Sequence, residues 1–241
     1  MTEGKNNLTF SGSGSAPGGT YADVAINGSG KILGDVDCRN MDVNGSGKAL
    51  GSVQAARVMV SGSARFEKNI CARLLTINGS SSIHGKVKAD LLQINGHAHI
   101  DEGVQGEQVK VSGVLILHGD LVAEEITSEG QLRVDGLCTA ERIDMTLGGM
   151  HSQIKEIGCA TVVIRKRPFA SLVGQLLFGA RRQRISVDAI EGDEIYIEST
   201  RAKAVRGKKV TIGPDCEIDE VTYTDTYACD DHAHVGRATK K

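Results

Sequence analysis

The chain has 241 residues, of which 40% are hydrophobic and only 3% aromatic, so its core must be filled with Val, Ile, Leu and Ala rather than with large rings. A formal net charge of −2 excludes the global positive field that nucleic-acid-binding proteins carry, and no nucleic-acid partner is expected. No apolar stretch approaches the ~20 residues of a membrane-spanning helix, and 30 glycines with only 3 prolines predict many tight corners rather than disorder.

Residues 1–20 are rich in glycine and serine and are predicted to form a flexible tail. They contain no apolar run of the kind that a secretory signal needs. The six cysteines of the chain are irregularly spaced and include no CxxC pair, which does not indicate a disulfide framework. These observations predict a cytoplasmic location.

A repeat of 17 residues fills residues 21–164. Its clearest marker is a column of glycines: Gly28, Gly45, Gly62, Gly79, Gly96, Gly113 and Gly130. Two residues before these glycines stands a first apolar column: Ile26, Val43, Val60, Ile77, Ile94 and Val111. Eight residues after them stands a second: Val36, Val53, Ile70, Val87 and Val104. These two columns are the predicted repeat core.

The apolar positions of each repeat lie an even number of residues apart, which is the period of a β-strand with one buried face. Because 17 is odd, one corner must place two neighbours outward, and Arg39–Asn40 can fill that role. A short strand cannot bury its apolar face alone, whereas stacked copies cover one another. The sequence therefore predicts an all-β parallel β-helix, or solenoid, with glycines at corners that need positive φ or close backbone approach. Beyond Leu147 the same register predicts Ala160, Val162 and Ile164 in the next turn.

One outward column carries chemistry: Glu67, His84, Asp101, His118 and Asp135. Rungs about 4.8 Å apart would stack these residues into a ladder of alternating acids and histidines. Such a ladder could bind a metal or transfer protons, but repeats generate ladders automatically, and a solvated row of favourable neighbours is the favoured interpretation. His97 and His99 are interpreted as surface residues. No catalytic, cofactor or metal site is therefore predicted.

Residues 165–184 interrupt the strand pattern and are predicted to be a short helical or loop insertion. Five apolar residues follow helical spacing: Phe169, Leu172, Val173, Leu176 and Leu177. Basic residues, including Arg181 and Arg182, flank this amphipathic segment. An apolar face with cationic ends fits an anionic membrane surface, and it fits equally a helix packed on the solenoid or a contact with a partner.

Rungs return over residues 185–225 with a spacing of 15, which matches Ile190 with Val205 and Ile197 with Ile212. The last partial rung is predicted at Ile218, Val221 and Tyr223, followed by a flexible tail over residues 226–241. That tail holds a cluster of possible metal ligands: Cys229, Asp230, Asp231, His232 and His234. The cluster lacks the two ligand pairs of a typical zinc site.

The tandem segments AINGSGKILGDVDC, DVNGSGKALGSVQA and TINGSSSIHGKVKA resemble the bactofilins, the polymer-forming cytoskeletal proteins of bacteria. The resemblance covers about residues 20–147 well and the C-terminal part more loosely. It implies a right-handed β-helix with flexible ends. It also implies polymerisation without nucleotide, often at the inner membrane surface, by proteins that scaffold cell-shape, envelope or motility machinery.

Other functions compete with a self-polymerising scaffold. A β-helix enzyme acting on polysaccharide would display aromatic sugar platforms, and four Phe, four Tyr and no Trp offer few. A hexapeptide-repeat acyltransferase would need six-residue periodicity. The GSGK segments fail as phosphate loops because Ile32 and Ala49 stand where Ser or Thr is needed. A non-polymerising adaptor stays open.

Overall fold

The computed structural model describes residues 6–167 and 184–241. Every helix or strand within those ranges is a β-strand, and each strand pairing is parallel. The prediction of an all-β parallel solenoid is therefore confirmed. The chain divides into two compact units, Met1–Leu121 and Val122–Lys241, which are described separately below.

Unit 1 consists of short strands that alternate with tight corners. In chain order they are β1 (Leu8–Phe10), β2 (Ser13–Ala16), β3 (Gly19–Thr20), β4 (Asp23–Ile26), β5 (Ser29–Ile32), β6 (Val36–Val43), β7 (Ser46–Ala49), β8 (Val53–Val60), β9 (Ser63–Phe66), β10 (Ile70–Ile77), β11 (Ser80–Ile83), β12 (Val87–Ile94), β13 (His97–Ile100), β14 (Val104–Val111) and β15 (Val114–Leu117). Strand β16 (Leu121–Val122) falls at the boundary between the units.

The register of unit 1 places like residues one above another. Val36 pairs with Val53 and Ile77 with Ile94, each 17 residues further along the chain. The two apolar columns thereby become continuous internal stripes, and none of their eleven predicted residues is more than 3% exposed. Parallel strands with one face inside need this vertical coverage, because each rung buries its neighbours' side chains.

Corners with two outward neighbours appear where the odd repeat length requires them. In β6, Cys38 and Met41 are buried, while Arg39 is exposed and Asn40 is half-buried between them. In β10 the same pattern puts Arg73 and Leu74 outside, although Leu74 is apolar. The alternation therefore resumes on the correct face after every corner.

The glycine column serves close backbone approach rather than unusual φ angles. A Cβ atom on Gly79 would lie 2.0 Å from the carbonyl oxygen of Gly62, and one on Gly96 would lie 2.0 Å from that of Gly79. The one described glycine with positive φ is Gly19, outside this column. Beside the glycines, asparagine side chains bond between coils, as Asn95 Nδ2 does to Asn78 Oδ1 at 2.8 Å.

Unit 2 has longer strands that turn corners without losing pairing. They are β17 (Glu125–Ser128), β18 (Gln131–Leu147), β19 (Ser152–Lys166), β20 (Ile185–Ile197), β21 (Thr200–Ile212), β22 (Glu217–Cys229) and β23 (His234–Lys240). The predicted 15-residue spacing appears between β20 and β21, where Ile190 pairs with Val205 and Ile197 with Ile212.

One register prediction in unit 2 is wrong. Ile143 pairs with Val162 rather than with Ala160, and Met145 pairs with Ile164. The step from β18 to β19 is 19 residues there, after an irregularity between Val134 and Leu137. Two added residues keep Val162 and Ile164 inside, but they move the two-outward corner onto Ala160, which is exposed.

The structure also differs from the predicted tails and from the predicted start of the insertion. Strands β1, β2 and β3 lie within residues 1–20, and strands β22 and β23 extend through most of residues 226–241. Backbone pairing with a neighbouring coil holds these segments, although their sequences lack the apolar columns. Tyr223 is therefore not in the last rung, and β19 continues to Lys166, past the predicted boundary at residue 165.

Candidate functional site

The acid–histidine ladder of unit 1 is the clearest polar cluster in the described chain. Glu67, His84, Asp101 and His118 each follow the last residue of β9, β11, β13 or β15. Their backbone amides continue the coil-to-coil bonding: His84 N donates to Phe66 O at 2.8 Å and Asp101 N to Ile83 O at 3.0 Å. The repeat therefore fixes the vertical alignment of these four side chains.

Side-chain contacts run through this ladder. His84 Nδ1 lies 2.5 Å from Asp101 Oδ2, and His84 Nε2 lies 3.9 Å from Glu67 Oε2. Lys48 Nζ lies 2.6 Å from the other oxygen of Glu67. The hydrogen bond from His84 holds the pKa of Asp101 below its ordinary value, and the bond from Lys48 does the same for the pKa of Glu67. Both carboxylates are thus ionised at neutral pH.

His99 joins this cluster, although the sequence interpretation left it as a plain surface residue. His99 Nε2 lies 3.0 Å from Asp101 Oδ1, and the His99 and His118 rings meet edge to face with centroids 4.8 Å apart. The signal was available in the sequence, because residues two apart on one strand share a face. His97, also on β13, pairs in register with Ser80 and Val114, which are not metal-binding residue types.

The remaining member of the predicted ladder, Asp135, lies on β18 of unit 2. Its carboxylate oxygen Oδ1 lies 3.1 Å from Arg133 Nε on the same strand. It therefore has a local basic neighbour two residues away.

The predicted cluster of metal ligands near the C-terminus is only partly assembled. Asp230 Oδ1 lies 3.1 Å from His232 Nδ1 and accepts a hydrogen bond from the His232 backbone. Across residues 6–167 and 184–241, three or more ligand atoms converge in one place, at His99, Asp101 and His118. Cys229 is exposed and does not belong to such a group.

The proposed membrane or partner contact falls outside the described residues. This applies to Phe169, Leu172, Val173, Leu176, Leu177, Arg181 and Arg182. The basic residues that flank the segment and are described have acidic neighbours: Arg167 lies 3.0 Å from Glu129, and Arg184 lies 2.9 Å from Glu217. In the described ranges, no helix has the length and hydropathy needed to cross a membrane.

A shallow groove in unit 2 is the place where an elongated ligand would fit best. Its lining includes Asp135, Lys155, Asp188, Lys203 and Asp219. Lys203 Nζ lies 2.8 Å from Asp188 Oδ1. No aromatic side chain is among the described residues that line the groove, so it lacks the stacking platforms of a polysaccharide-binding cleft.

The first coil of unit 1 presents an unpaired sheet edge. Strands β1, β2 and β3 pair with β4, β5 and β6, and among the described strands of unit 1 none pairs with their opposite edge. Phe10 closes the core at this end: it is 8% exposed, and a Cβ atom on Gly30 would lie 2.8 Å from its ring. The backbone groups of the edge are a template for another strand.

Comparison with known proteins agrees with this architecture. Two uncharacterized proteins of Bacillus subtilis (strain 168) are similar to the chain. YhbF is 37% identical over 99 residues, which is 40% of this chain and 39% of YhbF. YhbE is 38% identical over 101 residues, which is 42% of this chain and 41% of YhbE. The chain thus spans about two fifths of the length of either relative.

No solved structure matches the chain significantly. The family model described as bactofilin, polymer-forming cytoskeletal, matches residues 5–88, a span that contains the first coils of unit 1 with their glycine column and internal stripes. The resemblance seen in the tandem motifs is thereby confirmed, and residues 5–88 of this chain belong to the bactofilin family.

Proposed function

We propose that this chain is a structural scaffold that assembles with copies of itself, without nucleotide, through the exposed strand edges of its coils. The observation that carries the proposal is the unpaired edge formed by β1, β2 and β3. An exposed parallel edge either needs a cap or pairs with another strand. The polymer-forming character of the matched family supports pairing.

The position of Phe10 suits such a contact. Its ring fills the end of the core, so a second copy would meet an already closed apolar surface surrounded by unpaired N–H and C=O groups. Both hydrogen bonding and apolar burial would then contribute to association. A contact between the same edges of two copies would be isologous, whereas a contact between different edges would propagate as an open polymer.

The experiment that tests this function is electron microscopy and sedimentation of the purified full chain, with neither nucleotide nor metal added. We expect filaments or sheets. Phe10→Arg places a charge at the end of the core and should abolish them. Ser11→Arg, an adjacent exposed position, serves as the matched control and should still assemble. Circular dichroism must show that both variants keep their sheet.

The C-terminal edge offers a second test. Strand β23 pairs with β22, and Thr239→Pro would remove a backbone donor from this strand. Loss of assembly in Thr239→Pro alone would place the contact at β23. Monomeric wild-type protein at high concentration, or assembly unaffected by both Phe10→Arg and Thr239→Pro, would contradict edge pairing.

We propose a cytoplasmic setting, at the inner face of the cell membrane, for this scaffold. The support is the sequence of residues 165–184, with its apolar face and its basic residues Arg181 and Arg182. Roles in envelope, cell-shape or motility machinery follow from the family resemblance and belong to the same proposal.

A further inference from the structure

We infer that His99, Asp101 and His118 bind a divalent transition-metal ion of the zinc class on the surface of unit 1. The inference goes beyond the proposed scaffold function. One ligand atom from each of these residues lies within 4.8 Å of the other two. Zinc bonds to imidazole nitrogen and carboxylate oxygen are about 2.0–2.2 Å long, so donors at these separations need only small side-chain rotations to meet one ion.

Two of the three donors already stand at coordinating separation. His99 Nε2 and Asp101 Oδ1 are 3.0 Å apart, close to the edge of a tetrahedron around an ion with such bond lengths. The side chains of His99 and Asp101 are each 37% exposed, so an ion can reach them from solvent. His118 approaches from the next coil, with its ring centroid 4.8 Å from that of His99.

The second oxygen of Asp101 is held by a further residue. His84 Nδ1 lies 2.5 Å from Asp101 Oδ2, opposite in role to the oxygen that faces His99. A hydrogen bond on the outer oxygen of a ligating carboxylate fixes the orientation of the carboxylate and is a usual feature of metal sites. His84 is therefore a positioning residue for this site.

The 17-residue repeat alone does not explain this geometry. The repeat stacks His84, Asp101 and His118 in one column, and opposite charges in that column account for the contact between His84 and Asp101. His99 lies in a different column, which holds Ser82 on the coil before and Ile116 on the coil after. Its convergence on Asp101 and His118 is local to one coil pair.

The donor types select the ion. Two imidazoles and one carboxylate suit Zn²⁺, Ni²⁺ or Cu²⁺, whereas Mg²⁺ and Ca²⁺ require oxygen ligands. Three protein donors leave further coordination positions open to water. Because His99 and His118 belong to successive coils, a bound ion would link β13 to the corner after β15.

The test is equilibrium dialysis of the full chain against zinc chloride, with thermal unfolding as a second measurement. We expect one zinc ion held through these residues and a raised unfolding temperature, because a ligand that binds the folded state stabilises it. His99→Ala and His118→Ala should each abolish this binding and the temperature shift. His84→Gln should weaken binding by about 10- to 100-fold, the usual effect of losing an outer partner.

His97→Ala is the matched control, since His97 lies on the same strand and is exposed but stands outside the converging group. It should bind zinc like the wild type. Absence of zinc binding in the wild type would overturn the inference. So would binding that survives the His99→Ala, His118→Ala double substitution, or binding that is lost only when Cys229 and His232 are replaced. Because filament formation is measured without metal, failure here leaves the scaffold proposal untouched.

Discussion

Replacing Gly96 by alanine tests whether the glycine column exists for backbone contact between coils. The new Cβ atom would lie 2.0 Å from the carbonyl oxygen of Gly79 and 2.3 Å from that of Asn78. Ordinary contact begins at 3.4 Å, so the Gly79 carbonyl would have to move by about 1.4 Å (3.4 minus 2.0). That carbonyl accepts the 2.8 Å hydrogen bond from His97 N, which would be strained or lost.

The expected loss follows from these two effects. Overpacking against atoms that cannot rotate away costs about 1–3 kcal/mol, and an unpaired buried carbonyl costs about 1–3 kcal/mol more. Alanine recovers about 0.4–1 kcal/mol by restricting the unfolded chain. We therefore expect Gly96→Ala to lower the free energy of unfolding by about 2–4 kcal/mol, which corresponds to a decrease of about 1–2 M in the urea midpoint.

Gly149→Ala is the matched control, because Gly149 also occupies a corner, has no unusual φ, and has no atom within 4 Å of the position of an added Cβ. Its urea midpoint should stay unchanged or rise slightly. Both variants are followed by circular dichroism of the full chain. Equal midpoints for Gly96→Ala and wild type would refute the argument that glycine is required there by the carbonyl of the coil below.

Three further predictions concern the thiols, alkaline pH and the basic segment. Under native conditions a thiol reagent should label Cys71 and Cys229 quickly, whereas the four buried thiols should react only in denaturant; fast labelling of Cys138, measured by mass spectrometry, would contradict the core assignment. Burial raises the pKa of the Cys138 thiol from 9.0 to about 12, so its contribution to stability is complete below pH 9 and is lost as the pH rises towards 12; subtracting the unfolding profile of Cys138→Ala from that of wild type should show this decline, and a flat difference would refute it. Reversing the charges of Arg181 and Arg182 should release the protein from anionic liposomes in a flotation assay, and unchanged flotation, or wild-type protein that never floats with them, would end the membrane proposal.

The repeat region could be predicted because one physical rule acts in every coil there. Ile77 and Ile94 occupy the same position because parallel stacking requires an apolar residue above an apolar residue. The prediction was wrong at Ala160, where a coil two residues longer shifts the register without changing the side that faces inward. Nothing in the local alternation signals such a change in length.

The terminal coils escaped sequence reasoning for a different reason. Strand β2 consists of Ser, Gly, Ser and Ala, and only Ala16 is buried, so no apolar period marks it. Its pairing with β5 comes from the backbone and depends on the coil that β5 already forms. His99 was missed because attention to the vertical column obscured its neighbour two residues along the strand.

The junction between β19 and β20 has a practical consequence. Glu198 and Ser199 alone connect β20 to β21, whereas eighteen residues separate Lys166 from Ile185, and Ile164 still pairs with Ile197. The coils on both sides of this corner therefore keep their alignment whatever the number of residues between them. A fluorescent reporter or an affinity tag can be grafted at this corner, which would make the protein visible in living cells while both termini stay unmodified.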